Sequence, residues 1–283
     1  DSGQEQPSLV EPLLEGDPVS AEAALIRYMT RLGKMHADTV GKAADYQALL
    51  RAANPALTDA PVTQNELPLG IRHFAEILTG FGLPVAPGLL AELPGMYERV
   101  EQPGAFSAFV HHDLCPDNMF FIGEDVRLFD FEGGCFGHAL IDASYARIPF
   151  PSCWCCNRIP QTVVVKVEAA FRAELTRGCP PAADDRLFTQ ALGEVCGYSM
   201  LEWFRWWPLP PAQLEDRRWG LASIRSRVLA QLETFVNTAT EFDLLPHLRA
   251  SASQLLETVQ IHWPEAEPLP VYPAFRQPAA LTE

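Results

Sequence analysis

The chain has 283 residues, 48% hydrophobic and 20% charged, with a formal net charge of −15. That is a globular composition with apolar material for one large core or two modest ones, and so acidic a balance argues against nucleic acid or anionic lipid as the main partner. It has no apolar window of about 18 residues to span a membrane and no basic stretch leading into an apolar one as in a signal peptide. Its seven cysteines, an odd number in a chain too long to need disulfide staples, favour a reducing cytoplasm.

In chain order, residues 1–16 read as loop, with Gly3, Pro7, Pro12 and Gly16. Asp17-Pro18 reads as a helix cap followed by proline at the first helical position. Leu25, Tyr28, Leu32 and Met35 mark one face of that helix, and Gly41 can end it. Residues 43–65 carry no clear signal. Two helices are expected over 68–80 and 86–101, separated by a stretch containing Gly and Pro. The period then changes. Residues 106–110, 119–122 and 126–129 read as short strands, the last two joined by Gly123-Glu124-Asp125 as a hairpin. Helical patterns resume over 163–177, 185–206, 213–239 and 244–260, and a proline-rich tail begins at Pro264.

Polar residues gather at both ends of the hairpin. The segment His111-His112-Asp113-Leu114-Cys115-Pro116-Asp117-Asn118 has the frame H-x-D-x-x-x-x-N. Asp130-Phe131-Glu132 follows the second arm. Phosphoryl transfer from ATP needs this kind of set: one carboxylate to orient and deprotonate a hydroxyl, and a carboxylate and an amide to hold Mg2+. The hairpin would bring Asn118 and Asp130 to one metal ion.

This arrangement resembles the catalytic core of the aminoglycoside phosphotransferase and choline kinase family, relatives of protein kinases. The resemblance implies Asp113 as catalytic base, Asn118 and Asp130 as Mg2+ ligands, and His111 as a support of the catalytic loop. Gly137-His138-Ala139-Leu140-Ile141-Asp142 is similar to the family's G-x-P-x-x-D segment, which gives Asp142 a bracing role. Glu132 is a further candidate near the metal. Leu32-Gly33-Lys34-Met35-His36 looks like the family's L-G-x-L-H helix, and Asp1-Ser2-Gly3 with Ser8-Leu9 resembles its hinge.

The fold the resemblance implies is mainly α (α+β): the C-terminal helical lobe of a kinase-like fold with a small catalytic β-hairpin. The organisation expected is a hinge-like segment 1–16, a lobe core 17–145, a helical substrate-side extension 146–263 and a tail 264–283. A working kinase of this kind also needs an N-terminal lobe with a glycine-rich loop and a strand lysine, and neither is found before Asp113. With Asp1 in place of Met, an incomplete chain is expected. Val163-Val164-Val165-Lys166 mimics the lysine strand but comes after the catalytic loop, so Lys166 is read as a surface residue.

Cys153-Trp154-Cys155-Cys156, with Cys179 and Cys196, matches no standard zinc spacing, and buried thiols are the better reading. Cys115 lies inside the catalytic loop and is open to redox chemistry, with no role assigned. Trp203, Phe204, Trp206 and Trp207 read first as core and second as a wall of an acceptor pocket, where Glu194 and Glu202 could meet a cationic group. His36, His73, His247 and His262 read as isolated.

The expected activity is transfer of the γ-phosphate of Mg-ATP to a hydroxyl of a small molecule, in the cytoplasm, without nucleic acid or membrane. The alternatives are a non-catalytic kinase-like binding module and an interaction module built from residues 146–283.

Overall fold

The structure is a computed structural model and describes residues 7–55, 67–150, 152–207 and 215–276. Among these, ten α-helices surround three two-stranded antiparallel ladders, so the chain is mainly α, as expected. No helix among the described residues is long and apolar enough to cross a membrane.

A short helix α1 (Val10–Leu14) precedes α2 (Pro18–Thr39). The Asp17 carboxylate accepts hydrogen bonds from the Val19 and Ser20 amides at 2.9 and 3.0 Å, satisfying two donors that a helix start leaves open. Buried residues at Leu25, Tyr28, Met29, Leu32, Gly33 and His36 follow the helical repeat. This face packs on α7 (Gln161–Leu175), which presents Val163, Val164, Val167 and Phe171. At the closest approach a Cβ on Gly33 would lie 2.5 Å from the Phe171 carbonyl oxygen, so glycine there lets the two helices meet.

Helix α3 (Ala43–Ala53) is followed by α4 (Leu69–Gly80) and α5 (Pro87–Glu101), close to the two spans expected. Strand β1 (Ser107–Val110) leads into the catalytic-loop segment. Strands β2 (Met119–Ile122) and β3 (Asp125–Leu128) form the hairpin, with Met119 paired to Leu128. Its turn is the two-residue Gly123-Glu124, with Gly123 at φ 55, so Asp125 lies in the strand rather than in the connector. Strand β4 (Cys135–His138) pairs with β1, Ser107 opposite His138, and leads to the short helix α6 (Leu140–Ala143).

After α7 come α8 (Asp185–Phe204), α9 (Ile224–Glu241) and α10 (Pro246–His262). Residues 215–223 are not the helical start expected: β5 (Arg218–Trp219) and β6 (Ala222–Ser223) make a small hairpin, and the Ser223 hydroxyl caps α9 through the Ser226 amide. The expected tail is held at the Arg158–Val271 bridge and ends its described part in a 3-10 turn at Pro273–Phe275. The core is one large cluster running from Leu9 to Ala274, with a small second one of Cys156, Ala222, Ala230 and Leu269. If each of its Leu, Ile, Val, Phe and Met side chains contributes about 1.5–3 kcal/mol, burial is the main force assembling the lobe.

Of the expected hinge, Asp1-Ser2-Gly3 lies outside the described residues. Its later part is tied in: the Leu9 amide donates to the Pro116 carbonyl at 3.1 Å and the Phe121 amide to the Pro7 carbonyl at 2.9 Å. Residues 7–9 therefore lie between the loop after β1 and the start of the hairpin.

Candidate active site

The loop between β1 and β2 begins at His111, which is fully buried. Its Nε2–H donates to the Phe129 carbonyl at 2.7 Å and its Nδ1 accepts the Asp113 amide at 3.3 Å. One imidazole thus joins the loop to the far end of the hairpin, with a tautomer set by its two bonds. His112 adopts φ 68, a left-handed conformation uncommon for a non-glycine residue.

Asp142, at the start of α6, holds this turn. It is fully buried; its Oδ2 accepts from the His111 amide at 2.7 Å and from His36 Nε2 at 3.0 Å, and its Oδ1 from the His112 amide at 3.0 Å. Burial alone would push this carboxyl up. The His36 bond and charge, with the two amides, outweigh burial and hold it below the ordinary carboxylate value. His36 is therefore not an isolated packing histidine: it buttresses the residue that braces the loop. The signal that could have found it was its place in Leu32-Gly33-Lys34-Met35-His36. His138, also buried, is pushed down to about 3, first by burial and then by the neighbouring His36 imidazole.

Asp113 is half-buried at the loop's centre. The Asn118 Nδ2 donates to its backbone carbonyl at 2.9 Å and to its Oδ2 at 3.2 Å, while the Ser152 hydroxyl donates to its Oδ1 at 3.0 Å. With its amide nitrogen so used, Asn118 keeps its Oδ1 turned to no protein donor among the described residues. The Phe129 amide bonds the Asn118 carbonyl at 3.2 Å, which sets Asp130 beside Asn118 across the hairpin's open end. Asp130 is exposed, sits at φ 63, and its carboxylate makes no hydrogen bond or ion pair among the described residues. Glu132 is exposed in the 3-10 turn that follows, Phe131–Gly133.

Two unsatisfied oxygens at one hairpin end, an amide and a carboxylate, fit Mg2+, which takes one or two protein oxygens and completes its octahedron with water and phosphate. No cluster of three or more His, Cys, Asp or Glu side chains able to hold a metal occurs among the described residues. In the Cys153–Cys156 run, Cys153 is disulfide-bonded and Cys155 and Cys156 are buried thiols. Burial pushes the Cys155 thiol up to about 12 and the Cys156 thiol up to about 11.

One cysteine pair corrects the expectation of a chain without staples: Cys115 of the catalytic loop is disulfide-bonded to Cys153, with Cα atoms 5.4 Å apart. Lys166 is a surface residue paired with Glu22 at 2.7 Å.

A cavity of about 400 Å³ opens beside the loop. His112 and Ser152 line it, one the chain neighbour of Asp113 and the other its hydrogen-bond partner. Tyr145, Tyr198, Trp203 and Trp206 form aromatic walls. The aromatic cluster thus divides: Phe204 and Trp207 are buried against Phe74, Phe81 and Trp263, while Trp203 and the exposed Trp206 face the cavity. The carboxylates expected to await a cation are engaged. Glu194 is held by Arg99 at 2.8 Å, and Glu202 by Arg205 and the Tyr97 hydroxyl. A larger cavity, about 700 Å³, lies beside Arg147, Arg158 and Glu233 and contains none of the expected site residues.

No curated protein matches the chain. Among solved structures it is similar to choline kinase from Cryptosporidium parvum Iowa II, at 10% identity and a TM-score of 0.31, over 92% of this chain and 69% of that one. The likeness is too slight to add to what the family model shows. That model, of the phosphotransferase enzyme family, matches residues 3–177, which contain the loop, the hairpin and the Asp142 brace, and the chain belongs to that family.

Proposed function

We propose that the chain moves the γ-phosphate of Mg-ATP to a hydroxyl group of a small molecule. Asp113 orients the acceptor hydroxyl and takes its proton at a carboxylate oxygen. Asn118 Oδ1 and the Asp130 carboxylate would hold Mg2+, which supplies neutralisation of the phosphate charge when bound. His111 and Asp142 keep the loop in the conformation that presents Asp113.

The observation that carries this reading is the division of labour on Asn118. Its amide nitrogen fixes Asp113 while its oxygen remains available beside Asp130. Base and metal site are thereby held in one geometry, which is what a reaction limited by positioning and charge requires. The adjoining cavity, with aromatic walls and a Glu202–Arg205 pair, is the place for the acceptor. A cationic acceptor would meet aromatic faces there rather than an unpaired carboxylate.

The test is calorimetric titration with Mg-ATP, the chain beside Asp130→Ala. Magnesium-dependent binding lost in the variant supports the reading, and transfer of labelled phosphate to a panel of alcohols completes it. Equal binding by both chains overturns the metal assignment.

A further inference from the structure

Three consecutive residues after α6 lie along the catalytic loop and meet every second residue of it. The Ser152 hydroxyl donates to Asp113, Cys153 is bonded to Cys115, and the Trp154 Nε1–H donates to Asp117 Oδ2 at 2.8 Å. The chain reaches this position through Phe150 at φ 40, a conformation that a bulky residue adopts only when its surroundings impose it. Cys115 and Cys153 are both buried, and Cys115 Sγ lies 3.4 Å from Asp113 Oδ1. In the disulfide that sulfur carries no proton, so Ser152 supplies the one side-chain hydrogen bond to Oδ1. Beside it, the half-buried Tyr145 hydroxyl donates to the His112 carbonyl at 2.9 Å.

We propose that Ser152 is a positioning residue for Asp113, and that the Cys115–Cys153 disulfide, by fixing residues 152–154 along the catalytic loop, makes this positioning depend on the thiol state of the chain. The inference rests on the proposed role of Asp113. In the oxidised chain the carboxylate is held from both sides, Oδ1 by Ser152 and Oδ2 by Asn118, leaving lone pairs for an acceptor proton. Reduction by a dithiol breaks the Sγ–Sγ bond; two electrons and two protons pass from the reductant, which closes to its own disulfide, and two thiols remain. The strap then loses its covalent tie, and the Cys115 thiol acquires a proton to donate to Oδ1, competing with Ser152.

Three readouts on the full chain test this. Alkylation without reductant, followed by peptide mapping, recovers Cys115 and Cys153 as one linked pair; both found alkylated separately overturns the proposal. The carboxyl 13C resonance of Asp113, identified by its loss in Asp113→Asn, moves on reduction with dithiothreitol and in Ser152→Ala, while that of Asp130 stays in place. An Asp113 resonance unmoved in Ser152→Ala, or both resonances moving together, overturns it. Mg-ATP hydrolysis with water as acceptor falls about tenfold to a hundredfold in kcat on reduction and in Ser152→Ala, with KM for ATP unchanged. Ser152→Thr restores the rate, and a Cys115→Ala/Cys153→Ala chain no longer responds to dithiothreitol. A chain that hydrolyses no ATP in any state, yet whose Asp113 resonance shifts as described, sustains the positioning and overturns the proposed function instead.

Discussion

Asp142 and Asp130 are twelve residues apart, flank the same hairpin system, and have opposite circumstances. Asp142 is fully buried and accepts three hydrogen bonds, from two amides and His36. Asp130 is exposed on a left-handed backbone and accepts none among the described residues. One carboxylate is consumed in making the loop, the other is left over by it. The difference teaches that the proposed phosphotransfer site needs both. A free oxygen is useful only if the backbone presenting it is immobilised elsewhere, since binding geometry loose by an ångström forfeits much of the rate.

The contrast can be broken most severely at its buried side. Asp142→Ala leaves His36 and two amides without their partner in the core and is expected to cost about 3–5 kcal/mol of folding stability, read by urea denaturation. Asp113→Asn, at the loop's working tip, should cost about 10²–10⁴ in turnover with stability nearly unchanged, read by phosphate transfer beside a thermal melt. Asp130→Ala sharpens the comparison from the exposed side: Mg-ATP affinity falls by tenfold or more, whereas stability falls by only about 1 kcal/mol, the cost of alanine on a left-handed backbone. A stability loss at Asp130 equal to that at Asp142 would erase the distinction.

Near neutral pH the smallest effect is that of titration, and it grows as acid is added. His138 titrates near 6.5 when unfolded and near 3 when folded. Between those values the unfolded chain holds a proton that the folded chain refuses, so stability falls as pH drops from about 6.5 towards 3. Asp142, held below its ordinary value of 3.8, keeps its contribution above that pH and loses it only as acid reaches the folded carboxyl. Urea midpoints measured down this range should decline, and His138→Gln should flatten the upper part of the decline.

The helices were legible because their buried residues repeat every three or four positions, as in α2, α4 and α5. Helix α3 escaped because it buries no residue at all, so no apolar stripe marks it. Strand β4 escaped for a different reason: Cys135-Phe136-Gly137-His138 lacks alternation, and only its distant partner β1 makes it a strand. At the site, Asp113, Asn118, Asp130, His111 and Asp142 were readable from one ordered frame, and the structure gathers all five around one loop and hairpin. His36 and Ser152 were not read, because each acts through a partner far along the chain, 106 and 39 residues away respectively. Glu202 shows the converse: its type invited a cation, and Arg205, one turn on, already neutralises it.

The left-handed backbone at Asp130 restricts which residues can ever replace it. Among ordinary residues glycine, asparagine, aspartate and histidine enter that conformation most readily. The proposed metal role also asks for an oxygen donor there, which removes glycine and histidine. Two letters of the alphabet remain, and only one carries a charge, so in sequence space the position is nearly a dead end: a lineage that leaves aspartate has asparagine as its single open exit.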